Sequence, residues 1–594
     1  MKKTYLIFIA VLLGLTSCEK YLDRKNLDSF DDANFWTSEN NMRLFSQGNY
    51  TAYFTGYGSG FTWGNYFTGG AWSDEFSSSA IWTQNTATSG NGWSFTYVRR
   101  HNLMIDRVDK MPVSEEAKKH WRGVGRFFRA MEYSDLAITF GDVPWFDKEV
   151  LPSEVEISFK ERDPLPFVAT KIMEDFQYAV ENVRVNDGAF QVNRDVVLAF
   201  MSRHLLYFGT YLKYHNIDQA VSTTLLEKAK WAADQLITSG KYLVADDYRA
   251  LFSSADLLGN KEVIFFRQYE TAKATHALLS YNYNEPQTGT SLKMVETYLS
   301  ADGLPIKQSP VYDYTSDNGL RFYPAQYANR DPRMAATLVD TVRIQGAHNA
   351  YSTTGIASWK FLTYGATSSD LIYQGSTNVT DAPVIRFGEV LLNYAEASAE
   401  LGQFSQAEAD KSINKLRNRS IKKNNQGSFL PKLPAMTIIG DKVFANGIEI
   451  NDPDRDPSVS QLIWEIRRER AVELMFEGFR KRDLKRWKKY QYLKTIETNG
   501  PTTLGRGAYI DLSAFSASTR TRILAAVKFY YPTPGNTNRG FIYNLHDANM
   551  RRDWQAGNSY YERQYLNAIP LDQIKLYKDL GYVLAQNPGW DTVN

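Results

Sequence analysis

Arg386-Phe387-Gly388-Glu389-Val390-Leu391-Leu392-Asn393-Tyr394-Ala395-Glu396-Ala397 is the stretch from which the fold can be read. Val390, Leu391, Tyr394, Ala395 and Ser398 recur at the spacing that places apolar and small side chains along one stripe of a helix. Leu401-Gly402-Gln403-Phe404 interrupts the pattern, and a second helical run follows from Ala407 to about Arg419. Upstream, the same spacing predicts a helix capped by Ser38 and carrying Met42, Leu44, Phe45 and Tyr50. Another holds Trp93, Tyr97, His101 and Met104. A long one over about 115–140 is stopped by Gly141-Asp142-Val143-Pro144, and others lie near 166–183, 194–215 and 223–239. Downstream, 460–489 reads as the strongest helix, with Val472, Met475, Phe476 and Phe479 as its core stripe. Its many Arg, Lys and Glu residues read as a solvated face with local ion pairs worth about 0.2–0.5 kcal/mol each.

The small-residue helix, the Leu-Gly-x-aromatic turn and the following Ala resemble one tetratricopeptide unit, two antiparallel helices that bury their faces on neighbours. The repeat is not regular elsewhere, so any further units are degenerate and interrupted. From about 241 to 380, Gly, Pro, Tyr and short apolar runs predict loops, short strands and a few helical turns. The expected fold class is mainly α: a tetratricopeptide-like helical-pair scaffold with a loop-rich lobe carrying short strands.

The chain of 594 residues is too long for one simple core. Its net charge is +2, and Lys2 and Lys3 account for it. The remainder is balanced and carries no basic stripe, which argues against nucleic acid as a partner. Lys2 and Lys3 precede a short apolar run, and Leu15-Thr16-Ser17-Cys18 follows. The run is too short to span a bilayer and fits a secretory signal. The last four residues resemble a bacterial lipobox, with Cys18 as the acylated residue. Cys18 is the only cysteine, so a disulfide within one chain, a thiolate metal site and a cysteine nucleophile are all excluded. The expected organisation is a signal peptide over 1–17, a lipidated tether over 18–37, and two regions, 38–270 and 271–594, packed as one body.

The most ligand-like stretch is 55–91. It is crowded with Gly, Ser, Thr and Asn, lacks a sustained period, and is interrupted by aromatic residues. Trp63, Trp72 and Trp82 sit on no periodic stripe, and Asn65, Asp74, Gln84 and Asn85 lie close to them in sequence. Indole rings can stack on sugar C–H faces while short polar side chains meet the hydroxyls; the alternative is local loop packing. No Walker motif, His-Glu-x-x-His or Gly-x-Ser-x-Gly occurs. Asp452-x-Asp454-x-Asp456 starts like a calcium loop, but Pro457 and Ile463 replace the residues that loop requires, so it reads as a polar turn. Neither a metal nor a cofactor is expected.

Several segments in fixed order resemble the SusD/RagB family. They are Cys18-Glu19-Lys20-Tyr21-Leu22-Asp23; Trp93, Tyr97 and Asn102; Arg126-Phe127-Phe128-Arg129-Ala130 through Gly141-Asp142-Val143-Pro144; Asp302-Gly303-Leu304-Pro305; Asn329-Arg330-Asp331-Pro332-Arg333; the 386–397 stretch; Arg467-Arg468-Glu469-Arg470 through Phe476-Glu477-Gly478-Phe479-Arg480; and Asn587-Pro588-Gly589-Trp590. The resemblance implies about four tetratricopeptide-like pairs under a loop-rich lobe. It further implies a lipoprotein on the outer face of the outer membrane that binds glycans, or in some cases peptides, without chemistry. Such a protein delivers its ligand to a SusC-like TonB-dependent transporter. In starch-binding members the ligand aromatics fall between an Asp-Glu pair and a helix-opening Trp. Here that interval runs from Asp74-Glu75 to Trp93 and favours Trp82. Family surfaces combine two loop regions, which adds Tyr281, Tyr283 and Asn284, with Trp359 weaker. Asp142, Arg126, Arg129, Glu389, Glu396, Arg468 and Glu477 are read as scaffold. The rival readings are a surface glycoside hydrolase, which needs two carboxyl groups across the scissile bond, and a purely structural transporter cap.

Overall fold

The computed structural model describes residues 35–63, 66, 73–78, 92–284, 288–313, 321–323, 325–348, 351–363, 365, 370, 373–422, 428–494, 496–497, 500–543 and 563–590. Its scaffold helices are long and its strands short. Ser38 caps α1 (Glu39–Gln47) by accepting from the Asn41 N–H. After α2 (Thr96–Val108), Ser114 caps α3 (Glu115–Phe140), whose first turn carries Glu115 and Glu116, the charge a helix N-terminus favours. The scaffold continues through α4 (Leu165–Asn182), α5 (Arg194–Tyr214) and α6 (Gln219–Thr238).

The expected helical-pair scaffold is present. Helix α3 packs along α4, and residues 215–218 turn α5 back along α6. At Gly209 of α5 an added Cβ would lie 2.7 Å from Leu226 Cγ, so the α5–α6 approach depends on that glycine. The main core joins Phe128, Leu136, Val197, Leu226 and Leu391, and so draws on residues far apart in the chain. A short helix, α7 (Leu278–Asn284), precedes α8 (Phe387–Glu400), which follows directly on a strand. That strand, Ala382–Arg386, pairs antiparallel with Val263–Arg267 and ties the two halves of the sequence together.

The long helix expected over 460–489 is two. Helix α9 (Gln461–Glu473) stops, and α10 (Arg480–Arg486) starts after a turn in which Phe476 and Gly478 have φ of +69° and +82°. Nor is the charge of this segment solvated: Glu465, Arg467, Arg468, Glu469, Arg470, Glu473 and Glu477 are all buried. Their partners come from distant segments. Arg386 donates to Glu262, Glu473 and Glu477, Arg419 donates to Glu262 and Glu473, and Arg417 donates to Glu469. A pattern of Arg and Glu looks the same whether it faces water or a matching set of opposite charges, so periodicity could not separate the two cases.

The other motif charges also serve the scaffold. Arg129 grips Asp175 with two bonds of 2.7 and 2.8 Å, and Asp142 accepts from the Leu165 N–H at the start of α4. Glu389 is held by Arg203, Glu396 by Arg486 and Trp487, and Arg126 lies over the Tyr178 ring. Arg468 donates to Glu465.

Candidate functional site: an aromatic surface on the loop lobe

Two expected ligand regions meet in the fold. Strands β1 (Gly58–Ser59) and β2 (Thr62–Trp63) form a hairpin, and β3 (Phe76–Ser78) pairs antiparallel with β4 (Thr288–Thr290). In that second ladder Phe76 faces Thr290, Ser77 faces Gly289 and Ser78 faces Thr288. The 55–91 segment is thereby joined to the chain that follows α7. The ladder is fixed at its root, where the Ser291 hydroxyl donates to the Asp74 carbonyl at 2.8 Å and the Ser291 N–H to the Glu75 carbonyl at 3.0 Å.

The hairpin is anchored from below. Tyr269 donates its hydroxyl to the Gly58 carbonyl at 2.7 Å, the buried Tyr57 donates to the Phe252 carbonyl, and the Gly60 N–H donates to the Thr275 carbonyl. At its tip Phe61 is 70% exposed, an unusual state for a large apolar ring. A Cβ placed on Gly375 would be 3.9 Å from Phe61 Cζ, so the tip stands over the 373–378 segment. That segment carries Tyr373, which stacks face to face with Tyr283 at 4.4 Å between centroids. Asn284 donates its side-chain amide to the Tyr373 carbonyl, and Ser280 donates to the Gly375 carbonyl.

Tyr283 and Asn284 therefore lie beside the hairpin that contains Trp63. Tyr281 is half-buried and packs against the second core, and Trp359 lies under the Arg249 guanidinium at 4.4 Å. Of Trp63 the structure describes the backbone, in β2. Trp72, Trp82, Asn65 and Asn85 lie outside the described residues, as does Cys18. Asp74 is fully buried rather than displayed on a loop: Arg480 holds its carboxylate with bonds of 2.6 and 2.9 Å, and Lys293 lies 2.9 Å away. These cations overcome the burial and hold its carboxyl well below the usual range. Its neighbour Glu75 is pushed the other way, up to about 8, chiefly by burial. Asp74 thus ties the lobe's root strand to α10.

Sequence reasoning passed over Tyr373, whose buried ring backs Tyr283, and gave Phe61 no role. A Gly- and Ser-rich segment punctuated by tyrosine, as at 364–376, carries the same signal as 55–91 and could have flagged Tyr373. Phe61 and Tyr283 can meet a planar or ring-shaped ligand, and the exposed Asn284 can offer it an amide. Among the described residues no group of His, Cys, Asp and Glu is placed to hold a metal ion.

Comparison with known proteins supports the architecture. The chain is 23% identical over 523 residues to a SusD-like protein, P38, of Formosa agariphila, covering 84% of this chain and 92% of that one. A crystal structure of a SusD-like carbohydrate-binding protein from Bacteroides fragilis superposes with a TM-score of 0.63 at 19% identity, covering 91% of this chain and 99% of that one. Surface glycan-binding protein A from Bacteroides fluxus gives a TM-score of 0.53 at 15% identity, with 93% and 100% covered. The family model of SusD matches residues 261–590, the part that supplies β4, the Tyr283–Tyr373 stack, the buried charges of α9 and the closing Asn587-Pro588-Gly589-Trp590; the chain belongs to the SusD family.

Proposed function

We propose that this protein binds glycan at the cell surface without cleaving it and delivers it to a SusC-like TonB-dependent transporter in the outer membrane. The observation that carries this reading is the convergence of the two loop regions, with exposed Phe61, exposed Asn284 and a half-buried Tyr283, whose ring is backed by the buried Tyr373, on one side of the lobe. A ring platform beside an amide suits a sugar, whose C–H faces stack and whose hydroxyls need polar partners. The family and the neighbours named for carbohydrate and glycan binding point the same way. Trp63, Trp72 and Trp82, with Asn65 and Asn85, extend the same surface in this reading. The regions 38–270 and 271–594 act as one body, and Cys18 carries the lipid that holds it at the outer membrane.

Affinity electrophoresis and calorimetry against a panel of polysaccharides test the function. Trp72→Ala combined with Trp82→Ala is expected to weaken binding by roughly 30-fold or more, as loss of aromatic anchors does. Unchanged binding removes these residues from the site. Release of reducing sugar by the purified protein decides for a glycoside hydrolase, and absence of binding to any saccharide decides for a structural cap. Labelling with radioactive palmitate, lost in Cys18→Ser, tests the anchor.

A further inference from the structure

Away from the lobe surface, an open cavity of about 460 Å³ lies between helix Leu292–Thr297, the 452–457 turn and α9. That volume is in the range of small-molecule sites. Trp464 and Tyr492 line it, and both are half-buried. Their orientation is fixed by the turn that reads as a false calcium loop. Asp452 accepts from Trp464 Nε1 at 2.7 Å, Asp456 accepts from the Tyr492 hydroxyl at 2.6 Å, and Asp454 accepts from Lys307 at 2.7 Å. Each of the three carboxylates therefore positions one side chain of the cavity wall.

Arg467 belongs to the packing behind the cavity wall. It is 4% exposed, with its guanidinium between the rings of Trp487 and Tyr214 at 4.4 and 4.8 Å. None of its three side-chain nitrogens has a hydrogen-bond acceptor among the described residues, and its contact with Glu400 is 3.8 Å, too long for a hydrogen bond. These nitrogens are shut off from the open cavity, so Arg467 braces the Trp487 ring of the wall rather than meeting a ligand. Glu296, in the opposite wall, is pushed by burial up to about 7, so at neutral pH it can give or take a hydrogen bond.

We infer that this cavity is a second saccharide site, in which a terminal sugar stacks on Trp464 and Tyr492 and its oxygens meet Lys307 and Glu296. Oriented aromatic rings, a cation and an acid held near neutrality together recognise a polyhydroxylated ring. The inference rests on the glycan-binding reading but places its contacts elsewhere on the molecule.

The test uses the full chain and a panel of neutral and uronate-bearing di- to hexasaccharides, titrated by calorimetry. Binding is compared in wild type, Trp464→Ala, the isosteric Glu296→Gln, and the lobe variant Phe61→Ala with Tyr283→Ala, with thermal unfolding as the control for folding. The expected result is two binding events in wild type, one of them weakened by roughly 30-fold in Trp464→Ala and measurably in Glu296→Gln. The other event is lost only in the lobe variant. If both cavity variants bind like wild type, the second site is refuted and the glycan reading stands. If no saccharide binds wild type, both fall.

Discussion

Arg386 is the place to test whether the buried charges of α9 act as one structural unit. Its guanidinium is 1% exposed and makes five hydrogen bonds of 2.7–2.9 Å, to the carboxylates of Glu262, Glu473 and Glu477 and to the Glu473 carbonyl. Around it the ion pairs link Arg333, Lys360, Arg386, Arg417 and Arg419 with Glu262, Asp331, Glu469, Glu473 and Glu477, five charges of each sign. Arg386→Met leaves that set one cation short in a region closed to water. Five charge-assisted bonds at about 1.5–3 kcal/mol each would together rival the whole stability of a typical domain, so the gross sum cannot be the net effect. Burying the guanidinium also had a cost, and removing it returns that cost. The acids are not wholly stranded: Glu477 keeps Lys360, and Glu262 and Glu473 keep Arg419. The expected loss is therefore about 3–5 kcal/mol, the range for removing one partner of a buried pair.

Urea unfolding followed by tryptophan fluorescence and far-ultraviolet circular dichroism measures it, from the shift in midpoint at unchanged slope. A double variant with Glu477→Gln separates cause from packing. It should be less destabilised than the sum of the single variants by about 0.5–3 kcal/mol, because the charge left unpaired by the first change is removed by the second. A single-variant loss below about 1 kcal/mol with the slope unchanged would refute the view that these charges depend on one another.

Three further outcomes are expected. Burial raises Glu75 to about 8 against an ordinary 4.5, so its contribution is present below about 4.5 and lost as pH rises through about 8. Glu75→Gln should therefore gain stability relative to wild type between pH 5 and 9; a constant difference over that range would count against the burial of an uncharged acid there. Glu473 and Glu396 are lowered to about 2 although burial works against it, since Arg419 and Arg386 face the first and Arg486 the second. Their contribution is present above about 4.5 and lost as pH falls toward 2, so thermal stability should drop steeply across that window. Gly289→Ala would set a Cβ 2.7 Å from the Thr354 backbone nitrogen, against the β3–β4 ladder, and should cost about 1–3 kcal/mol while weakening saccharide binding at the lobe. Unaltered binding would show that the ladder does not support that surface.

The helices were legible because local periodicity and caps decide them. Ser38 and Ser114 cap where their side chains can accept from the helix, and Gly141 ends α3. What was not legible depends on segments far apart in the chain. Nothing local says that Glu262 will meet Arg386 and Arg419, so the charges of α9 read as a wet face. Nothing local says that Asp74 will face Lys293 and Arg480, so a structural anchor read as a ligand group. Even so, one signal was present in 460–489: Gly478 falls between Glu477 and Phe479, and glycine inside a strong helical pattern is a reason to doubt continuity.

The break that glycine marks links scaffold and lobe. Phe476 sits in a left-handed conformation that costs a non-glycine residue on the order of 1–3 kcal/mol, so the surrounding structure must offset it. Three contacts around the turn do so. The Phe476 ring stacks on Phe76 of β3 at 4.7 Å, Glu477 turns inward to Arg386 and Lys360, and α10 restarts where Arg480 reaches Asp74. A continuous helix would advance these residues about 100° apiece around one axis and could not aim Phe476, Glu477 and Arg480 at their separate partners. The strain is thus what lets one short turn grip the root of β3 by a ring and a charge pair. The root of the strand is thereby held from the scaffold side, at Phe76 by the ring and at Asp74 by the charge pair.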